Sequence, residues 1–105
     1  MAKLREKLTT EILKTSGVSE KIWEERNDGF SSLEINGKEF AHFHNDNEID
    51  VRLTNKVIKQ NNLNHPVNSE KHPNRSDNSP WIELKFHNQK DVKKIYSLVN
   101  QLLAD

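Results

Sequence analysis

The sequence predicts an α+β domain of two layers. An antiparallel sheet of about four strands carries an N-terminal and a C-terminal helix on one face. Three observations carry this expectation. Asn36-Gly37 separates two segments of alternating polarity, as a tight hairpin requires. Apolar residues recur at helical spacing near both ends of the chain. The element order reads helix, strands, short helix, long loop, strand, helix, which groups the strands as α+β folds do.

Leu4, Leu8 and Ile12, with Leu13 beside them, form an apolar stripe on a helix within residues 1–16. Gly17 stands where a helix-terminating glycine belongs. Residues 18–28 suit a short edge strand, with Val18, Ile22 and Trp23 expected to be partly buried. The Asn-Gly corner favours a type I′ turn, because both central residues need positive φ. That turn sets Ile35 opposite Lys38 and Leu33 opposite Phe40, so Leu33, Ile35, Phe40, His42 and His44 share a face. Glu34, Glu39, Ala41 and Phe43 then point the other way. With Asp46-Asn47 as the next turn, Leu53, Val51 and Ile49 fall opposite Phe40, His42 and His44, which completes a three-stranded meander.

Thr54 is placed to cap a short helix bearing Val57 and Ile58. Residues 61–80 are rich in Asn, Ser and Pro and read as a long loop, a feature often tied to function. The segment "WIELKF" reads as a strand anchored by Trp81 and Phe86. Asn88 caps a final helix over 88–104, with Asp91 in its first turn and an apolar stripe of Val92, Ile95, Tyr96, Val99, Leu102 and Leu103. No repeat and no second domain is evident in residues 1–105.

The composition narrows the function classes. Of 105 residues, 32% are hydrophobic and 30% charged, with mean hydropathy −0.93. Sixteen basic residues balance sixteen acidic ones, so the high net charge that favours disorder is missing. The same balance argues against nucleic acid as a partner, and the lysines at 90, 93 and 94 read as a solvated helix face. There is no cysteine, which removes disulfides, thiolate nucleophiles and thiolate metal sites. The N-terminal segment has no apolar run of signal-peptide type, and nothing reaches transmembrane length, so a cytoplasmic protein with no membrane partner is expected.

The segment "EFAHFHNDNEID", residues 39–50, holds the candidate chemistry. His42 and His44 stand two apart on one strand and so project from one face, about 7 Å apart along the chain. Two imidazoles so placed can hold a divalent transition metal if further ligands arrive, and His72 is the nominated third. Asp46 is the nearest acid, while Glu39 and Asp50 fall on the other face in this register. His65 and His72, from the long loop, are placed to close over the strand end. Trp81 is a candidate stacking surface, although an aromatic opening an apolar strand more often packs in the core. The bland alternative is a neutral core-edge His42 beside a half-exposed His44. Ser69, Ser76 and Ser79 lack an activating neighbour in sequence and suit turns.

Several motifs then appear in order: "GV" at 17–18, "NGKEFAHFH" at 36–44, "EIDVRL" at 48–53, "HP" at 72–73, "SPWIELKF" at 79–86 and the "DVKKIYSLVNQLL" helix. Together they resemble a small-domain family of unknown function that carries the label luciferase. Lys38 and Pro80 replace an arginine and a glycine common in that family. The layout is also similar in topology to YjbR-like (CyaY-like) domains. The luciferase label implies light emission, yet the residues show no flavin site, adenylation loop or nucleotide motif. The expected function is therefore a small binding or interaction domain. Its partner would be a small molecule or a protein, its ligand surface His42, His44, Asp46, His65, His72 and Trp81, and its state a monomer or weak homodimer. The alternative is a metal-assisted hydrolase or oxygen-handling enzyme using His42, His44 and His72, and a nucleic-acid-binding domain is a minor alternative.

Overall fold

The computed structural model describes residues 3–22, 30–65 and 79–104. Along the chain run α1 (Lys3–Leu13), β1 (Val18–Ile22), β2 (Ser31–Ile35), β3 (Lys38–Asn45), β4 (Glu48–Arg52), α2 (Thr54–Gln60), β5 (Trp81–Lys85) and α3 (Gln89–Ala104). The five strands form one antiparallel sheet in sequential order, β1 to β5. The expected α+β fold is present, with one strand more than the count of about four. Trp23 and His72 lie outside the described residues.

Local signals explain most of the elements. Asn36 and Gly37 both adopt positive φ, at 52° and 82°, and close the β2–β3 hairpin as a type I′ turn requires. Gly17 has φ 87° after α1. Asn88 Oδ1 accepts from the Asp91 amide at 2.9 Å, and Asp91 Oδ2 accepts from the His87 amide at 2.9 Å, so α3 is capped from both directions. Thr54 does not cap α2, because no side-chain cap bond forms there. Its own φ is 74° instead, and its amide donates to the Pro80 carbonyl at 3.2 Å.

The three helices cover one face of the sheet. Leu8, Ile12, Val57, Ile58, Val92, Ile95, Leu98 and Val99 meet Leu33, Ala41, Phe43, Ile49, Val51 and Ile82 in one core. Arg5 of α1 reaches into the edge of this layer. Its guanidinium lies 4.5 Å above the Phe43 ring and donates to Ser31 Oγ at 2.9 Å, and Ser31 Oγ in turn donates to Glu20. Ile22, expected to be partly buried, ends the edge strand and is 69% exposed.

The face assignment of β3 differs from expectation by one residue, and the reason is local. Both tight turns form where the sequence places them, with Ile35 opposite Lys38 and Asn45 opposite Glu48. Beyond each turn the register then shifts. One irregularity falls between Leu33 and Glu34, so that Leu33 pairs with Ala41 and not with Phe40. A second falls between Phe43 and Asn45, so that Ile49 pairs with Phe43 and Asp50 with His42. A bulge inserts one unpaired residue, and a one-residue slip exchanges the faces of every residue beyond it. Ala41 and Phe43 therefore enter the core, both at 0% exposure, while His42 turns to the opposite face.

Candidate functional site

The face opposite the helices carries a row of polar residues across the sheet. Ser32 on β2 pairs with His42 on β3, His42 with Asp50 on β4, and Asp50 with Glu83 on β5. Directly paired residues project together, so the four side chains form one line. They are poorly hydrated for such a face: Ser32 and Asp50 are 0% exposed and Glu83 is 5% exposed.

His42 is the centre of this row. Its Nε2 lies 3.4 Å from Asp50 Oδ2, and its Nδ1 lies 3.3 Å from Glu39 Oε2. A neutral imidazole donates from only one ring nitrogen, so two ionised carboxylates at Nδ1 and Nε2 favour the imidazolium, which donates from both. Burial by itself would lower the His42 pKa. The hydrogen bond and charge of Asp50, joined by those of Glu39, outweigh it and raise the value above that of free histidine.

Aromatic rings enclose the imidazole. Phe30 stacks on His42 at 5.2 Å between centroids, and the Trp81 indole lies 5.3 Å away at 33°. His44 meets His42 edge-on at 4.8 Å. Trp81 thus packs on this face, not in the apolar core. Its parity on β5 explains why: it pairs with Arg52 on the outward side, two residues before Glu83.

A second carboxyl pair adjoins the row. Glu48 is hydrogen bonded to Glu83 and accepts from Asn45 Nδ2 at 3.1 Å. Burial opposes ionisation of Glu48, but those bonds and the charges of Lys85 and His44 prevail and lower its pKa.

The residues nominated from sequence divide into three groups. His42, His44 and Trp81 come together. Asp46 does not join them: its Oδ1 lies 3.6 Å from Arg5 Nη1, on the α1 side of the β3–β4 turn. His65 follows α2, and neither of its buried ring nitrogens has a hydrogen-bond partner among the described residues. His72 lies outside the described residues. Ser79 accepts from the Trp81 amide at 3.1 Å, the local turn bond its sequence context suggests.

Asp50 and Glu39 were set aside by the uninterrupted hairpin register, and the bulges bring both to His42. One sequence signal pointed to Asp50. Ala41 and Phe43 are more apolar than His42 and His44, and taking them together with Ile49 and Val51 as core leaves His42 and Asp50 on the other face. His42, His44 and Asp50 each offer a ligand atom within 4.8 Å of the other two. Ligands about 2.0–2.1 Å from a tetrahedral zinc ion stand about 3.3 Å apart, close to the spacing of His42 Nε2 and Asp50 Oδ2.

The luciferase domain family profile matches residues 37–101, from the Asn-Gly hairpin corner through most of α3. The chain belongs to this family. The matched span contains His42, His44, Asp50 and Trp81, whereas Phe30 and Ser32 precede it. No curated protein and no solved structure gives a match. No helix among the described residues is long and apolar enough to cross a membrane.

Proposed function

We propose that this luciferase-family chain is a small binding domain whose ligand rests on the sheet face opposite the helices. His42, His44, Asp50 and Trp81 form the contact surface, and His65 and His72 belong to the segment that would rim it. The observation that carries this reading is the His42 arrangement: an imidazole held between two carboxyl groups and packed against two aromatic rings. Desolvating charged groups is costly, and proteins concentrate such clusters where they recognise or transform something.

The test is a fragment library screened by amide chemical-shift mapping. Hits should perturb His42, His44, Asp50 and Trp81 together, and His44→Ala should abolish them without loss of the folded spectrum. Hits that ignore these positions, or a His44→Ala variant that fails to fold, refute the reading.

A second reading is a metal-assisted hydrolase or oxygen-handling enzyme, favoured by the 4.8 Å grouping of His42, His44 and Asp50. Two histidines and one carboxylate are a donor set that leaves coordination positions open for substrate or water. In this reading Asp50 takes the place that the sequence assigned to His72. Untagged protein would then bind zinc, nickel or cobalt at one equivalent with a rise in melting temperature. His44→Ala and Asp50→Asn would each abolish that rise. No response to any of the three ions rejects the metal reading and leaves the binding-domain reading standing.

A further inference from the structure

A second concavity lies between the β2–β3 hairpin and the end of α3, with a volume of about 510 Å³. This is within the range of small-molecule pockets, roughly 300–1,000 Å³. Ile35, Phe40, Leu102 and Leu103 supply its apolar floor, and Lys38, Glu39 and Arg52 complete its lining. Phe40 reaches it because the register shift on β3 puts two successive residues, Phe40 and Ala41, among the buried ones.

The charges of this lining are unequal. The Glu39 carboxylate is engaged by His42 Nδ1 at 3.3 Å. Lys38 and Arg52 form no ion pair or side-chain hydrogen bond with any described residue. Two cations without a counter-charge among the described residues thus stand beside an apolar floor. An ammonium ligand would meet like charge there, and a neutral hydrocarbon would leave both cations unpaired. A carboxylate can be held by a guanidinium through two hydrogen bonds, while an attached ring or short chain covers the floor.

We propose that this cavity binds a small amphipathic carboxylate. Its acid group lies between Lys38 and Arg52, and its apolar body lies on Phe40, Leu102 and Leu103. The cavity borders the His42 face and shares Glu39 with it, but the proposal rests on Lys38, Arg52 and the apolar floor and does not depend on the reading given for that face.

The probe is 2-naphthoate, with 2-naphthylmethylamine as its cationic counterpart. Naphthoate titrated into the full chain should shift the amides of Ile35, Phe40, Leu102 and Leu103 saturably. Arg52→Gln and Lys38→Gln should each weaken binding about threefold, since each is exposed and its pairing with the ligand's acid group is screened by water. Their melting temperatures should stay close to the parent's, and the amine should bind at least tenfold more weakly. Equal binding of acid and amine, unchanged affinity in both glutamine variants, or no shift at these amides at millimolar naphthoate would each overturn the proposal. So would a concentration-dependent dimer dispersed by Leu103→Asp, which would assign the same surface to a second copy of the chain.

Discussion

His42 and Asp50 are direct cross-strand partners, and 3.4 Å separates Nε2 of one from Oδ2 of the other. The contact exists because the bulge between Phe43 and Asn45 moves the pairing of β3 and β4 by one residue. Without it, Val51 would face His42, and the imidazole and the carboxylate would lie on opposite faces of the sheet.

The pairing makes stability depend on pH. The folded-state pKa of His42 is raised, with Asp50 and Glu39 overcoming the opposing effect of burial. Its contribution is therefore complete below the unfolded value of about 6.5 and is lost as pH rises through the higher folded value. With a chelator present, the melting-temperature gap between wild type and Asp50→Asn should shrink as pH rises above about 6.5. The NMR titration midpoint of His42 should also fall in Asp50→Asn. A gap that widens with pH would contradict this assignment.

The two faces of β3 should respond oppositely to substitution. Phe43 is 0% exposed and meets Phe86 edge-to-face at 6.2 Å. Phe43→Ala should cost about 3–5 kcal/mol in urea denaturation, enough to threaten folding in a domain whose total stability is about 5–15 kcal/mol. Ala41→Asp should be equally severe, because it places an unpaired charge in the core. His44→Ala, on the other face, should cost only about 1 kcal/mol. The register read directly from the hairpin turns implies the reverse order, so these three variants decide between the two.

Two backbone positions should show effects of opposite sign. Gly37 has φ 82° with open space where a Cβ would be, so Gly37→Ala meets no clash and costs only the left-handed strain, about 1 kcal/mol. Thr54 is a β-branched residue at φ 74°. Thr54→Gly should relieve about 1 kcal/mol of the same strain. Denaturant midpoints of both variants, compared at constant slope, test the pair.

His65 offers a sharper choice. Both ring nitrogens are buried without partners among the described residues, a state that costs about 1–3 kcal/mol per unsatisfied group. If the ring serves only packing, His65→Leu should raise the melting temperature and leave fragment binding unchanged. If the variant instead loses binding on the His42 face, His65 joins that surface.

The sequence by itself determined the elements that depend on neighbours along the chain. The Asn36-Gly37 corner, the Asn88–Asp91 cap and the apolar stripe of α3 could be read because turn chemistry and helical spacing act over a few residues. It also located the segment that carries the chemistry and the family to which the chain belongs. Tertiary structure alone decided which side of the sheet that segment presents. Two unpaired residues on β3 reverse its faces, and nothing in the turns announces them: the helix layer selects Ala41 and Phe43 because they can be buried at lower cost than two imidazoles. The same selection sent Asp46 toward Arg5, brought Asp50 to His42 and set Trp81 outside the core. Side-chain period along a strand is local, but its phase is fixed by what packs against it.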